Sequence, residues 1–292
     1  MKIIQCNDCN PELIQPQYAS FKKHLQDDFQ MVICNSLEMA RDPRKCQEVL
    51  DVCHLLGIET VQAKRDKSIE LYRNTNFTYG SPEPFFSPEG RFWTPGNAGN
   101  YLMQWSWEKI VCKLNGPICY THSDVFLIEP IRFTDYLKDY QICSILPNKP
   151  AQKGHGFMQY LWEPLLLVDM DRLPSPETMI WWPSEVENEW TDTGGRTYYY
   201  LRDHPELKVL ELGQSSSIIG DAPNDDDFKD PTVDFHPTRY RFIHFPDKRA
   251  FHYMSGTRWC TDSEHGWNWP KEKADEYHRR KMAWTRKLAG IE

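Results

Sequence analysis

The sequence predicts an α/β protein whose front third builds a parallel sheet covered by helices. Three observations carry this. β-type and helical runs alternate from residue 2 to residue 63, and parallel strands need helical crossovers, so strand, helix, strand, helix, strand is how such a sheet reads. The stretch "DPRKCQEVLDVCHLLG" has Pro43 near its start and Gly57 at its end, and spaces Cys46, Val49, Leu50, Cys53 and Leu56 along one helical face. The 292 residues, 40% hydrophobic, suffice for one large α/β domain or two small ones.

Taken in order, "KIIQC" is a short β run, "QYASFKKHLQ" is helical, "FQMVICN" is a second strand, residues 42 to 57 form the helix just described, and "IETVQA" is a third strand. Residues 74 to 99 are rich in Pro, Gly and aromatics; a long loop of that kind inside a compact domain is a functional one, and its aromatics argue against disorder. "NYLMQWSWEKIVCKLNG" places Met103, Trp107, Ile110, Val111 and Leu114 on one helical face, and Asn115-Gly116 stops it. The chain then enters "GPICYTHSDVFLIEP", apolar on both sides of His122 and Asp124. "DYQICSILP" and "YLWEPLLLVDMDRLP" read as two more strands. "WTDTGGRTYYYL" follows, then a polar stretch, "GQSSSIIGDAPNDDDFKDP", expected to be a mobile loop. "RFIHF" and "AFHYMSG" are β runs, and "PKEKADEYHRRKMAWTRKLAG" closes as a charged helix. Ala274, Tyr277, Trp284 and Leu288 recur there at helical spacing, expected to pack on the same chain. There is no internal repeat and no flexible linker.

Composition removes several classes. A net charge of −8 with a pI near 5.7 lacks the basic footprint of nucleic-acid binding. "MKIIQCNDCN" is too polar for a signal peptide, and no run approaches the ~18 apolar residues of a spanning helix, so a soluble, cytoplasmic protein without a transmembrane segment is expected. The nine cysteines, odd in number and mostly in apolar patterns, read as reduced core thiols; Cys6 and Cys9 form a C-x-x-C with no second pair at zinc spacing.

Four constellations remain that could carry chemistry. His122-Ser-Asp124 breaks an apolar strand with alternate residues facing one way, a turn able to hold a divalent cation; the same residues could serve as a cap and a partly buried hydrogen-bonder. "HYMSGTRW" sets His252, Gly256 and Arg258 where a backbone passes close to a ligand and a cation reaches an anion, or where a hairpin buries a His and exposes an Arg. "DTGG" puts Asp192 before paired glycines, either a base or hydroxyl acceptor beside a substrate, or a turn. "CNDCN" ends the first strand with Asn7, Asp8 and Asn10, where α/β sheets contact nucleosides. Neither a G-x-G-x-x-G nor a P-loop accompanies them.

In their order these pieces resemble GT-A glycosyltransferases, and most of all the family-eight (glycogenin and galactosyltransferase-like) layout. That family has Asp-x-Asp in the middle and His-x-x-Gly-x-x-Lys-Pro-Trp late. Here "HSD" puts His122 in place of the first Asp, and "HYMSGTRW" carries Arg258 in place of the Lys and lacks the Pro; "YLWEPLLLVDMDRLP" lacks the family's Asn-x-Gly. The resemblance covers most of residues 1 to 260 in order of elements. It implies a GT-A-like fold, a Rossmann-type nucleotide-binding front with a mixed central sheet and a C-terminal helix. Residues 1–265 would form one catalytic domain, 1–125 binding the nucleotide sugar and 126–265 completing the acceptor and metal sites, with 266–292 as the helix.

What the resemblance implies for chemistry is transfer of a sugar from a nucleoside-diphosphate donor, UDP-linked, to a glycan or glycoconjugate hydroxyl, with a divalent metal neutralising the leaving diphosphate. Asp124 and His252 would be metal ligands, and His122 a ligand or a ribose contact. Arg258, with Gly256 beside it, would meet the diphosphate, and Asn7, Asp8 and Asn10 the nucleoside. Asp192 would act as general base in an inverting enzyme, or orient the donor sugar in a retaining one. An imidazole at position 122 favours Mn²⁺ over Mg²⁺. Trp162, Trp181, Trp182 and Trp190 cluster around the acceptor segment, where sugar faces stack on aromatics, although any single one is more readily read as filling the core. Three competing classes are a methyltransferase, which should show a glycine-rich first loop; a metal-dependent hydrolase built on His122, Asp124, His244 and His252; and a non-catalytic carbohydrate- or nucleotide-binding module.

Overall fold

The computed structural model describes residues 1–7, 9–71, 86, 90–91, 95–150, 157–187, 189–216, 241–253 and 271–291. In the front half the elements are β1 (Lys2–Cys6), α1 (Pro11–His24), β2 (Gln30–Asn35), α2 (Pro43–Leu56), β3 (Glu59–Gln62), α3 (Lys67–Leu71), α4 (Pro95–Lys109), β4 (Pro117–His122), β5 (Val125–Leu127), α5 (Phe133–Leu137) and β6 (Ile142–Ile145). The rear half adds β7 (Asn148–Pro150), β8 (Phe157–Gln159), β9 (Trp162–Asp169), β10 (Glu185–Val186), β11 (Glu189–Trp190), α6 (Thr197–Asp203), β12 (Val209–Glu211), β13 (Gly213–Ser216), β14 (Arg241–His244), β15 (Arg249–His252) and α7 (Lys271–Ala289). The chain divides into two compact units. One is Met1–Pro11, Asp27–His122 and Arg132–Leu212; the other is Glu12–Gln26, Ser123–Ile131 and Gly213–Glu292.

The first unit is built on a seven-stranded sheet of order β12-β6-β9-β4-β1-β2-β3. From β4 to β3 it is parallel, and β9 runs antiparallel between β4 and β6, so the α/β class and the mixed sheet are as expected. Ile3, Ile4, Ile33, Ile118 and Tyr120 have no exposed surface, which is why these strands read as continuous apolar runs rather than alternating ones. α4 contributes Met103 and Trp107 to the core formed with Ile4, Tyr120, Leu166 and Trp181, the Trp107 and Trp181 rings meeting edge to face at 5.1 Å. Behind α4, Gly116 takes φ +71°, the left-handed geometry that turns the chain into β4.

Helix α2 has the ends its sequence predicts. Asp42 accepts from the Arg44 and Lys45 amides at 3.0 and 3.3 Å, Pro43 follows it, and Gly57 closes the helix at φ +65°. Two helices begin earlier than expected, α1 at Pro11 rather than residue 17 and α4 at Pro95, inside the expected loop. In both the first residue is a proline, whose fixed φ suits a first helical position and whose missing N–H is an orphan there in any case. The remainder of that loop, apart from residues 86 and 90–91, lies outside the described residues; of the polar stretch 213–231, expected to be a loop, Gly213–Ser216 instead form β13, paired with β14, and the rest lies outside them.

β9 holds a proline inside a central strand, where a ladder hydrogen bond is lost. The register explains it. β6 pairs Ser144 with Leu166 but Ile145 with Trp162, so relative to β6 the strand bulges across Glu163, Pro164 and Leu165. β4 pairs β9 only from Leu165 onward, and the freed Pro164 carbonyl accepts from Thr121 Oγ1 at 3.2 Å.

The second unit is a four-stranded antiparallel sheet, β13-β14-β15-β5. Phe126, Phe242, Phe251 and Tyr253 from the sheet, Leu13 from α1, and Met282 and Trp284 from α7 form its core. Trp284 meets Phe251 edge to face at 5.2 Å, and Tyr253 shares a 2.8 Å hydrogen bond with His278. The closing helix thus packs on its own unit. At its C-terminal end Lys23 donates to the Gly290 carbonyl and His24 Nε2 donates to the Ala289 carbonyl at 2.8 Å, placing basic groups where helix carbonyls lack partners. Every described cysteine is a free thiol. No described helix is long and apolar enough to cross a membrane.

Candidate functional site

β4 ends at His122, the chain turns through Ser123 and Asp124, and β5 begins at Val125. In the second unit β15 pairs β5 with His252 opposite Val125, which seats His252 beside Asp124. His252 Nε2 lies 3.4 Å from Asp124 Oδ1, with 5% and 4% of the two side chains exposed, and the Tyr253 amide donates to the Asp124 carbonyl at 2.8 Å. A carboxylate this deeply buried needs a cation or donors near it. Two residues from opposite halves of the sequence, each singled out by a polar break in an apolar run, are therefore brought together.

In the first unit His122, one third exposed, sets Nε2 3.2 Å from Oε1 of Glu163. Glu163 is 4% exposed, and its Oε2 has no hydrogen-bond partner among the described residues. Sequence reasoning missed this acid. Its signal was a Glu-Pro step inside an otherwise apolar strand run, the pattern of a bulge that re-aims a side chain.

At the end of β1, Asn7 and Asn10 are both buried and bond each other: Asn7 Oδ1 accepts from the Asn10 amide at 2.9 Å and Asn7 Nδ2 donates to the Asn10 carbonyl at 3.2 Å. Asn7 thus closes the turn that presents Asn10. Asp8 between them lies outside the described residues, as do Gly256 and Arg258. Asp192 is exposed, and its Oδ1 accepts from the Thr193 amide at 2.8 Å.

The glycines after Asp192 have a steric reason. Gly194 sits at φ +86°, where a Cβ would fall 1.9 Å from the Leu161 carbonyl oxygen, and a Cβ on Gly195 would fall 1.6 Å from Thr191 Oγ1. The loop thereby presses against its own core while holding Asp192 at the surface. Trp181 and Trp182 are core residues, 0% and 2% exposed, so neither offers a face to a sugar; Trp162 is half-buried. His244 is separated from His252 by the register of the β14–β15 hairpin: His244 faces Arg249 and His252 faces Arg241, three residues or ~10 Å along the strands. The four-residue cluster required for the hydrolase is not assembled.

No protein-family model matches this chain, and no curated protein matches it. Among solved structures it is similar to the apo form of the glycosyltransferase GlyE of Streptococcus pneumoniae TIGR4, at 12% identity over 72% of this chain and 44% of that one, with a TM-score of 0.38. It is also similar to the galactosyltransferase LgtC in complex with donor and acceptor sugar analogs, at 12% identity over 99% and 95% of the two chains and a TM-score of 0.45. A third is the mannosyltransferase PcManGT of Pyrobaculum calidifontis in complex with GDP-Man and Mn²⁺, at 8% identity over 72% and 53% and a TM-score of 0.37. The chain spans less than half the length of GlyE.

Proposed function

We propose that this chain is a glycosyltransferase that moves a sugar from a nucleoside-diphosphate donor, UDP-linked, to a glycan or glycoconjugate hydroxyl with a divalent cation. The observation that carries the reading is the buried Asp124–His252 pair at 3.4 Å. It joins the middle and late motifs on which the sequence resemblance rests. In sequence Asp124 follows two residues after the end of β4, a parallel strand, and α/β sheets bind nucleotides beyond such strand ends.

The donor set fits a metal: one carboxylate and one imidazole, with a second imidazole, His122, two residues upstream of Asp124. Imidazole nitrogen favours Mn²⁺ over Mg²⁺. When bound, such an ion neutralises the charge that develops on a departing diphosphate. Asp124 and His252 hold the ion, and His122 is a further ligand or a ribose contact. Asn10 and Asp8 meet the nucleoside, with Asn7 shaping their turn. Arg258 forks onto the phosphates where Gly256 lets the backbone approach. Asp192, exposed on its glycine turn, orients the donor sugar or takes the acceptor proton.

A thermal-shift screen of UDP, GDP and their common sugars, with and without Mn²⁺, tests this on wild type, Asp124→Ala and Asp124→Asn. The expected result is a nucleotide-dependent rise that requires Mn²⁺ and is lost in both variants. If no nucleotide raises the midpoint under any metal, the reading fails.

A further inference from the structure

We propose that Cys6 and Cys34 form a site of reversible oxidation, at which a hydroperoxide oxidises Cys6 and Cys34 closes a disulfide onto it, a chemistry that does not depend on the donor and metal reading above. β1 and β2 run parallel, and their register pairs Cys6 with Cys34. Paired residues of neighbouring strands project from the same sheet face, and such strands lie about 4.8 Å apart, within the roughly 4.4–6.8 Å between Cα atoms that a disulfide spans. The thiols already meet, Cys34 donating a hydrogen bond to the Cys6 sulfur. The Ser106 hydroxyl, 3.5 Å away, and the Tyr120 hydroxyl flank the same atom.

The sequence offers a different pair, the C-x-x-C of Cys6 and Cys9. Cys9 instead is 5% exposed, donates to the Asp42 carbonyl at 3.3 Å and packs with Ala40 and Cys46, whereas the ladder holds Cys34 opposite Cys6. Exposure divides the work. Cys6 keeps part of its surface open while Cys34 has none, so an oxidant from solvent meets Cys6 first and Cys34 is the thiol that resolves.

In the first step the Cys6 sulfur attacks the near oxygen of the hydroperoxide. The O–O bond breaks, the thiol proton leaves with the departing oxygen as water or an alcohol, and Cys6 becomes a sulfenic acid. In the second step the Cys34 sulfur attacks Cys6 Sγ. The S–S bond forms, the S–O bond breaks, and the hydroxide leaves as water with the Cys34 proton. Two electrons pass from the thiol pair to the peroxide, and exchange with a dithiol restores both thiols.

The test treats the native full-length chain with hydrogen peroxide and digests it with a protease that cleaves before aspartate. Cys6 then lies in residues 1–7, Cys9 in 8–26, Cys34 in 28–41 and Cys46 in 42–50, so each pairing has its own mass. The expected product joins 1–7 to 28–41, two hydrogens lighter than the separate peptides, and is undone by dithiothreitol. The thiol count of the denatured protein should fall by two from nine. In Cys34→Ser and Cys34→Ala the link should vanish and dimedone should label Cys6, the sulfenic acid now having no resolving thiol. Cys6→Ser should show neither the link nor a dimedone adduct at Cys34.

A link from 1–7 to 8–26 in place of the expected one overturns the proposal, as does wild-type protein in which Cys6 passes to sulfinic acid without any disulfide. Peroxide that leaves Cys6 and Cys34 as thiols does the same. So does an equal yield of the link in urea-unfolded chain, which would show that the folded contact plays no part.

Discussion

At Cys6 the chemistry of one side chain is set by its neighbours. Burial would push this thiol up, yet hydrogen bonds with Cys34, Ser106 and Tyr120 outweigh it and hold Cys6 below the ordinary thiol value; its Sγ lies 2.5 Å from Tyr120 Oη and 3.5 Å from Ser106 Oγ. Cys112, also half-buried, is pushed up to about 12 by burial and by Glu177 and Glu108. Thiolates rather than thiols are alkylated. Iodoacetamide at neutral pH should therefore label Cys6 before Cys112 in a peptide map, and the reverse order would refute the network. Asp124 and His252 were legible in the sequence because each is a polar break in an apolar run. The Cys6 network was not, since nothing local shows that residues 6, 34, 106 and 120 converge. Glu163 was hidden because its run reads as one uninterrupted strand, and only the register with β6 shows the bulge there.

Short elements in the first unit are held by particular end groups. Asp66 caps α3, its Oδ1 accepting from the Ser68 amide at 2.9 Å and hydroxyl at 2.6 Å, while Lys109 at the end of α4 lies 2.8 Å from Oδ2. Lys109, then the Ser68 hydroxyl, lower this carboxyl to about 2. A depressed carboxyl adds stability that is complete above its ordinary value near 4 and disappears as pH falls toward 2. Solvent at this partly exposed pair reduces the term to about 1 kcal/mol. Denaturant melts should find Asp66→Asn less stable than wild type by that amount at pH 7 and equal to it near pH 2; a pH-independent difference would exclude the linkage. Gly194 is a harder constraint, because the atom facing its missing Cβ is backbone. Gly194→Ala should cost about 3 kcal/mol or more, and a melting midpoint within a degree of wild type would show that the loop can yield. Among helices, α2 was fully legible because all its end signals are adjacent in sequence. α1 was begun too late because Pro16, inside the helix, interrupts its helical pattern, and α4 because Pro95, at its first position, lies in a Pro- and Gly-rich stretch.

On the scale of the whole molecule, the alternation that predicted the parallel front was local and the rest of the sheet was not. That β9 enters antiparallel between β4 and β6, and that β12 joins the far edge, depends on pairings no short window contains. The two units were equally hidden, since each gathers separated stretches of chain. If Asp124 and His252 hold Mn²⁺, saturation at a hundred times the dissociation constant adds about 2.7 kcal/mol, on the order of 4 °C in a chain of this size. Calorimetry that finds no shift at saturating Mn²⁺ and nucleotide would count against that site. Trp284→Ala should destabilise by about 3–5 kcal/mol, because the indole fills the core between α7 and Phe251; a loss below 1 kcal/mol would mean that α7 contributes little to its unit.

The bonds from Lys23 and His24 to Gly290 and Ala289 join residues 267 and 265 positions apart. On the ribosome the helix end that α1 caps emerges only after some 265 further residues have been added, roughly 13–50 s at cellular elongation rates. For that interval the apolar face of α1, Leu13 included, is without the helix that covers it. The second unit is thus a late-assembling piece of the protein, and nascent chains stalled before α7 are where chaperone engagement should concentrate.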